Sequence, residues 1–165
     1  MTDKQFIHGN EVKSGILIAN LGTPDAPTRQ AVKRYLAEFL SDPRVIPIHP
    51  LLWWFILHGV ILTTRPQKSA HSYSKVWSNE GSPLLYNSLA QTKAIQNQLD
   101  RRLRRSAITV LGMRYGNPSI PSALQTLRDA NVRRLLVLPL YPQYSATTTA
   151  SVFDAVSAEL RKWRW

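Results

Sequence analysis

One segment constrains the fold of this chain more than any other: residues 15–24, with the sequence Gly-Ile-Leu-Ile-Ala-Asn-Leu-Gly-Thr-Pro. Its apolar run is almost unbroken, which is typical of a strand that is buried on both faces of a parallel sheet. Gly22 and Pro24 then end the strand. Ligands of open α/β sheets bind beyond the carboxyl ends of the strands, so residues 20–25 lie where a site is expected. The same pattern also fits the first strand of any α/β domain.

Two further apolar segments, residues 107–113 and 135–140, are predicted strands, and helical patterns separate the three. This alternation predicts an α/β fold of the Rossmann-like type, in which helices flank a parallel sheet. We expect one domain over residues 15–165, because 165 residues are too few for two ordinary domains. Residues 1–14 are predicted to be a polar lead-in, since Asp3 and Glu11 fit neither a secretory signal nor a transit peptide.

The remaining elements follow from apolar spacing and from start and stop signals. A helix is predicted from Thr28 to Leu40, with a stop at Asp42 and Pro43. Residues 45–48 are a candidate short strand. Later helices are predicted over residues 85–103, over residues 120–130 with Ser119 as the cap, and from Val152 to Trp163.

The most apolar run of the chain extends from Leu51 to Leu62 and contains the adjacent Trp53 and Trp54. It is about twelve residues long, whereas a helix that spans a membrane needs about twenty. Adjacent tryptophans on a helix point in different directions, so one contact face does not easily bury both. We therefore favour an exposed apolar lip over a plain core helix. Residues 63–66, which include Arg65, are expected to end it.

Composition narrows the choice of partners. Twenty-one Lys and Arg against ten Asp and Glu give a net charge of +11, which favours nucleic acid, an acidic membrane surface or a substrate with carboxylates. The basic run at residues 101–105 supports nucleic-acid binding, but it lacks interleaved aromatic residues and matches no known motif, so we expect no nucleic-acid partner. The chain has no cysteine, which excludes disulfides and thiolate-bound metals within it and fits a cytoplasmic location.

Side chains at the predicted strand ends suit a flat apolar ligand with carboxylates at its rim. Residues 20–24, Arg114 with Tyr115, and residues 141–145 reach the same edge of a parallel sheet. A guanidinium pairs with a carboxylate in a bidentate way, and an aromatic ring stacks on a flat ligand. Arg65 offers a second guanidinium, and further hydroxyls come from Ser82, Tyr144 and Ser145.

Acid–base and metal-binding groups are scarce. The histidines, at positions 8, 49, 58 and 71, have no metal-ligand spacing and do not stand beside a carboxylate. We predict no metal site, no cofactor and no catalytic residue from the spacing of residues in this chain.

Five segments, taken together, resemble the amino-terminal half of the ferrochelatase family, enzymes that insert ferrous iron into a porphyrin in the last step of protohaem synthesis. They appear in the order of that family and cover most of the chain from residue 15. The matching stretches are residues 15–24, residues 39–46 (Phe-Leu-Ser-Asp-Pro-Arg-Val-Ile), Tyr73 with Val76, Trp77 and residues 81–84, residues 113–118 (Met-Arg-Tyr-Gly-Asn-Pro), and residues 138–145 (Leu-Pro-Leu-Tyr-Pro-Gln-Tyr-Ser).

This resemblance implies a chelatase-type α/β half, with protoporphyrin in a cleft between two such halves and Fe²⁺ as a substrate. It implies that Leu21 and the lip contact the macrocycle, that the lip also touches the membrane, and that Arg65 and Ser82 hold propionates. The full set of expected porphyrin contacts is Leu21, Arg65, Tyr73, Ser82, Arg114, Tyr115, Tyr144 and Ser145.

The chain also departs from the family pattern. The proton-accepting histidine of the family, in a Ser-x-His-Gly motif, and its partner glutamate belong to the second half, and this chain contains neither. His58 and Gly59 lack the serine two residues earlier and lie inside the lip. Residues 149–151, Thr-Ala-Ser, stand where many members have a glycine. The resemblance therefore predicts a truncated ferrochelatase that is inactive alone; the alternative is a non-catalytic porphyrin- or haem-binding module.

Overall fold

The computed structural model describes residues 13–103 and 107–163, and its sheet has three parallel strands. Strand β1 (Lys13–Thr23) lies in the centre, between β2 (Ala107–Gly116) and β3 (Val132–Pro139). All three strands were predicted, and their parallel pairing brings the three carboxyl ends to one edge, as expected. We call this edge of the sheet the carboxyl edge.

The described residues form six α-helices, which are connected to the strands in the alternating order that the sequence predicts. Two π-helical turns, Leu57–Ile61 and Ala146–Ala150, precede the third and the sixth helix. The helices are α1 (Arg29–Leu40), α2 (Pro50–Ile56), α3 (Leu62–Val76), α4 (Pro83–Arg102), α5 (Ile120–Asp129) and α6 (Ser151–Leu160).

Helices cover both faces of the sheet, so β1 is buried on both sides. On one face, Leu17 and Ala19 pack with the apolar sides of α5 and α6. On the other face, Ile18 packs with residues of β2 and with Leu85 and Ile95 of α4. Burial of this apolar surface explains why the central strand is a nearly continuous hydrophobic run.

The free side of β2 is closed by a side chain. Gln96 of α4 donates from Nε2 to the carbonyl oxygen of Ala107 (2.8 Å), and its Oε1 accepts from the backbone N–H and the hydroxyl of Thr109 (both 2.7 Å). The Gln96 amide thus makes two hydrogen bonds that a neighbouring strand would otherwise make. The carbonyl group of Ala107 and the N–H group of Thr109 therefore both have a partner at the edge of the sheet.

Helix α1 lies across the carboxyl edge. Thr28 caps it by accepting from the N–H of Ala31. The hydroxyl of Tyr35 donates to the carbonyl oxygen of Gly22 (3.3 Å), and the Glu38 carboxylate accepts from the N–H of Gly116 (2.8 Å). The helix therefore covers the ends of β1 and β2, where the sequence predicts a site.

One local prediction was wrong. Residues 45–48 are not a strand: the N–H groups of Val45 and Ile46 both donate to the carbonyl oxygen of Asp42, and this turn, flanked by two prolines that donate nothing, prevents pairing.

Residues 63–66 end the apolar run but not the helix that carries it, because α3 continues through Pro66 to Val76 and includes Tyr73. Leu62, Pro66 and Ala70 are buried at a spacing of four residues, and the hydroxyls of Thr63 and Thr64 bond to nearby carbonyl groups. Packing therefore outweighs the hydrogen bond that Pro66 removes.

Candidate functional site

The ends of β1 and β2 approach each other closely at Gly22. This residue has φ = +106°, and a Cβ atom there would lie 1.7 Å from the carbonyl oxygen of Tyr115. Only glycine fits such a position. The turn after β1 therefore depends on Gly22 for conformation and contact, in agreement with the stop signal in the sequence.

A buried polar network stands beside this turn. Asp42, in the loop after α1, accepts three hydrogen bonds on Oδ2: from Nη2 of Arg114 (2.6 Å), the hydroxyl of Tyr115 (2.7 Å) and the hydroxyl of Ser151 (2.6 Å). Its Oδ1 accepts from the N–H of Arg44 (2.7 Å). We call these residues the Asp42 network; it joins β2, the start of α6 and the loop that leads to the lip.

The network keeps the Asp42 carboxylate charged. Burial acts to raise the pKa of Asp42, but hydrogen bonds from Ser151, Tyr115 and the Arg44 N–H, together with the charge of Arg114, lower this pKa below its ordinary value of 3.8. At neutral pH the network thus contains a charged carboxylate and a charged guanidinium at close range.

The buried phenols near this edge keep their protons at neutral pH. Burial raises the pKa of Tyr115 and of Tyr141 to about 12, and it also raises the pKa of Tyr35 and of Tyr73. The Tyr141 hydroxyl, like that of Thr23, is buried without a hydrogen-bond partner among the described residues.

An aromatic row leads from the end of β2 to α3. Tyr115 packs edge-on against Phe39 with ring centroids 5.1 Å apart, and Phe39 stacks on Tyr35 at 6.0 Å. Tyr35 meets Tyr73 at 6.4 Å, and Tyr73 meets Trp77 at 6.3 Å. This row places Tyr73 and Tyr115 in one wall, although 41 residues lie between them in the sequence.

The predicted lip is exposed, as the adjacent tryptophans indicated. Trp53 turns inward, where its indole N–H donates to the carbonyl oxygen of Leu40 (2.6 Å). Trp54 is 53% exposed and stacks on His58, whose Nδ1 donates to the Trp54 carbonyl oxygen (3.0 Å). The exposed apolar side chains of the lip are Leu51, Leu52, Trp54, Phe55, Ile56 and Val60.

The structure brings only some of the predicted site residues together. Arg114 and Tyr115 belong to the Asp42 network, and the Arg114 guanidinium lies 4.4 Å from the centre of the Tyr115 ring. Tyr115 is fully buried, so its hydroxyl serves Asp42 in this conformation.

The other predicted contacts are spread along the carboxyl edge and α3. Leu21 is half-buried at the end of β1, and Ser82 is buried at the start of α4. Within residues 13–103 and 107–163, exposed Arg65 and Tyr144 form no hydrogen bond or ion pair; the hydroxyl of Ser145 bonds to those of Thr147 and Thr148.

Sequence reasoning missed Asp42 and Ser151. Asp42 was interpreted as part of a helix stop and of one matching stretch, without a role in the site, and Ser151 only as part of a departure from a glycine pattern. Asp42 and Arg114 are 72 residues apart in the chain, and sequence spacing does not reveal that a carboxylate and an arginine so far apart form a pair.

The described part of the chain contains neither a metal-ligand cluster nor a membrane-spanning helix. No group of three or more His, Cys, Asp or Glu side chains there is close enough to hold a metal ion. No helix there is both long enough and apolar enough to cross a membrane.

The sequence of the chain is similar to those of known proteins. The model of the ferrochelatase family matches residues 13–165. The chain is 52% identical over 160 residues to a ferrochelatase of Marinobacter nauticus, and 56% identical over 164 residues to a ferrochelatase of Hydrogenovibrio crunogenus. It is 52% identical over 158 residues to ferrochelatase 2 of Shewanella oneidensis.

Each alignment covers 96–97% of this chain but 43–48% of the relative, so the chain spans about half the length of these proteins. The sequence match extends through β1, the Asp42 network, the lip and the last helix, in agreement with the resemblance of the five segments. The chain therefore belongs to the ferrochelatase family.

Proposed function

We propose that the carboxyl edge, the aromatic row and the lip together form one wall of a porphyrin site, and that this wall serves the insertion of Fe²⁺ into protoporphyrin IX in haem biosynthesis. The observation that carries the proposal is the continuous aromatic row beside the strand ends. Three half-buried rings of the row, those of Phe39, Tyr73 and Trp77, offer aromatic surface next to the exposed apolar side chains of the lip, as a rigid macrocycle requires. The buried rings of Tyr35 and Tyr115 support them from behind.

The proposed contacts have different tasks. Leu21 and the lip would touch the apolar faces of the macrocycle, and Arg65, Ser82 and Tyr73 would hold its propionates by charge-assisted hydrogen bonds. Arg114 and Tyr115 would form the floor of the site at the end of β2. Tyr144 and Ser145, after β3, would close its far side.

Metallation needs more than this wall. Two pyrrole N–H protons must leave the porphyrin, so a base must stand near the ring centre, and Fe²⁺ must lose its water in a closed, dry cleft. The phenols of the described wall are protonated at neutral pH, and His58 lies on the lip. We therefore propose that these 165 residues bind porphyrin and that the base is supplied by residues outside them.

A porphyrin titration tests the binding part of the proposal. Protoporphyrin IX fluorescence is followed as the chain is added, for the wild type, Arg65→Gln and the control Arg101→Gln, which removes an exposed arginine from the far end of α4. We expect Arg65→Gln to weaken binding about tenfold and Arg101→Gln to have little effect. If the wild type binds no porphyrin, the proposal is wrong.

An iron-insertion assay under anaerobic conditions tests the second part. We expect binding without insertion above the uncatalysed rate, which is also the behaviour of a non-catalytic porphyrin- or haem-binding module. Insertion well above that rate, abolished by Arg114→Ala, would show that these residues contain the whole catalytic machinery.

We also propose that the protein is cytoplasmic and that its lip contacts the surface of a membrane peripherally. The support is the cluster of six exposed apolar side chains on one short helical segment, because large exposed apolar patches mark interaction sites.

A further inference from the structure

We infer that Asp42 is a specificity-determining residue: it neutralises Arg114, so that Arg65 and not Arg114 is the guanidinium available to a carboxylate of the ligand. This inference rests on the proposed porphyrin site. Of the two arginines at that site, Arg65 binds the ligand, and Arg114 is held in an ion pair by Asp42.

Arg114 already donates hydrogen bonds to two residues of the chain. Nη2 donates to Asp42, and Nε donates to both the carbonyl oxygen (2.9 Å) and the hydroxyl (2.6 Å) of Ser151. The side chain of Asp42 is 4% exposed and that of Arg114 is 18% exposed. Such a desolvated pair with several hydrogen bonds is well fixed in place.

A ligand carboxylate would have to compete with Asp42. If Arg114 turned toward the ligand, Asp42 would remain buried without a counter-charge, which is strongly unfavourable. If Arg114 served both carboxylates, the ligand would face the like charge of Asp42 at short range. Either route makes Arg114 a poor partner for a propionate.

Arg65 is in the opposite situation. It lies exposed on α3, on the same helix as Tyr73 and one residue before buried Pro66, and within the described residues no carboxylate pairs with it. Its charge is therefore open to an incoming anion.

The test compares two porphyrins that differ only in their carboxylates: deuteroporphyrin IX and its dimethyl ester. The ratio of their dissociation constants measures how much carboxylate recognition contributes to binding. We expect Arg65→Gln to lower the preference for the free acid about tenfold. The double variant Asp42→Asn/Arg114→Gln removes both charges of the buried pair, and we expect it to leave this preference within about twofold.

Asp42→Asn gives the most diagnostic result. If Asp42 only stabilised the fold, this variant would bind porphyrin more weakly without a greater preference for the free acid. With Asp42 neutral, Arg114 keeps its bonds to Ser151 but loses its counter-charge, and we expect the preference for the free acid to rise about three- to tenfold. Adding Arg114→Gln to this variant should remove the gain. Circular dichroism and a thermal melt identify variants that fail to fold; if Asp42→Asn does, the comparison of Arg65→Gln with the double variant decides.

Asp154→Asn is the matched control. It frees Arg44 from a surface ion pair and so also adds one net positive charge next to the same loop. We expect no change in the acid-to-ester ratio. An equal rise in Asp154→Asn and Asp42→Asn would show a general charge effect and would overturn the inference, as would equal losses in Arg65→Gln and in the double variant Asp42→Asn/Arg114→Gln.

A second readout does not depend on porphyrin. The ¹⁵N–¹H signal of Arg114 Nε, assigned with Arg114→Lys, is followed while acetate is added. We expect acetate to leave this signal unchanged in the wild type and to shift it in Asp42→Asn. A wild type that binds neither porphyrin would refute the proposed site alone, whereas an acetate-induced shift of Arg114 in the wild type would refute the role of Asp42.

Discussion

The carboxylate of Asp42 and the hydroxyl of Tyr115 form a buried hydrogen bond of 2.7 Å across 73 residues of sequence. Asp42 belongs to the loop that leads from α1 to the lip, and Tyr115 is the last residue but one of the edge strand β2. Through this bond and those of Arg114 and Ser151, the wall proposed to bind porphyrin is joined to the sheet. Any change in the charge of Asp42 therefore affects both the proposed porphyrin wall and its attachment to the sheet.

Acid should weaken the fold through Asp42. The folded-state pKa of this carboxyl lies below the ordinary 3.8, so its stabilising contribution is fully present above that value and is lost as the pH falls through the folded pKa. We expect urea unfolding of the wild type to show this loss below about pH 4, and the loss to be smaller in Asp42→Asn. Equal acid sensitivity of both proteins would contradict the prediction.

Asp42→Ala should be more damaging than Asp42→Asn at neutral pH. It removes the counter-charge and all four hydrogen bonds of Asp42, and it leaves the mostly buried Arg114 guanidinium without a carboxylate partner. We expect a loss of about 3 kcal/mol in the free energy of unfolding from equilibrium urea denaturation. A loss below about 1 kcal/mol would mean that the network contributes little to stability.

Gly22→Ala should destabilise the chain severely. The new Cβ would collide with the carbonyl oxygen of Tyr115, and alanine disfavours the φ of +106°. We expect a loss of more than about 3 kcal/mol, measured by thermal or urea unfolding. The matched control is Gly59→Ala on the lip, where an added Cβ would have no atom within 4 Å and helix propensity favours alanine by up to about 1 kcal/mol.

Gln96→Ala should weaken the free side of β2. The substitution leaves the N–H of Thr109 and the carbonyl oxygen of Ala107 without the partner that satisfies them. We expect a loss of about 1 to 2 kcal/mol in unfolding free energy. Gln125→Ala is the control, because exposed Gln125 bonds to Asp129 one helical turn away, and it should change stability by less than about 0.5 kcal/mol.

The lip should bind bilayers even without charge attraction. We expect the wild type to sediment with neutral phosphatidylcholine vesicles and the double variant Trp54→Ser/Phe55→Ser to bind more than about tenfold less, because two large apolar side chains are lost. Leu103→Ser, which changes an exposed leucine at the end of α4, is the control. If only anionic vesicles bind, and equally in all three proteins, the net charge and not the lip is responsible.

The sequence was sufficient for the architecture because its signals are local. The apolar run of residues 15–24, the helical spacing after Thr28 and the cap at Ser119 each depend on neighbours within a few residues. Pro66 shows the limit of that reasoning: its local preference predicted a helix end, but buried contacts of Leu62, Pro66 and Ala70 kept the helix intact.

By itself, the sequence determined the alternating strands and helices, the exposed lip and the family, since these follow from periodicity and from motifs in a fixed order. The tertiary structure alone decided which polar groups meet. Arg114 was predicted as an open partner for a carboxylate, but folding brings Asp42 and Ser151 against it from positions 72 residues before and 37 residues after. A charge can be read from one residue, whereas its availability depends on the counter-charge that the fold places beside it.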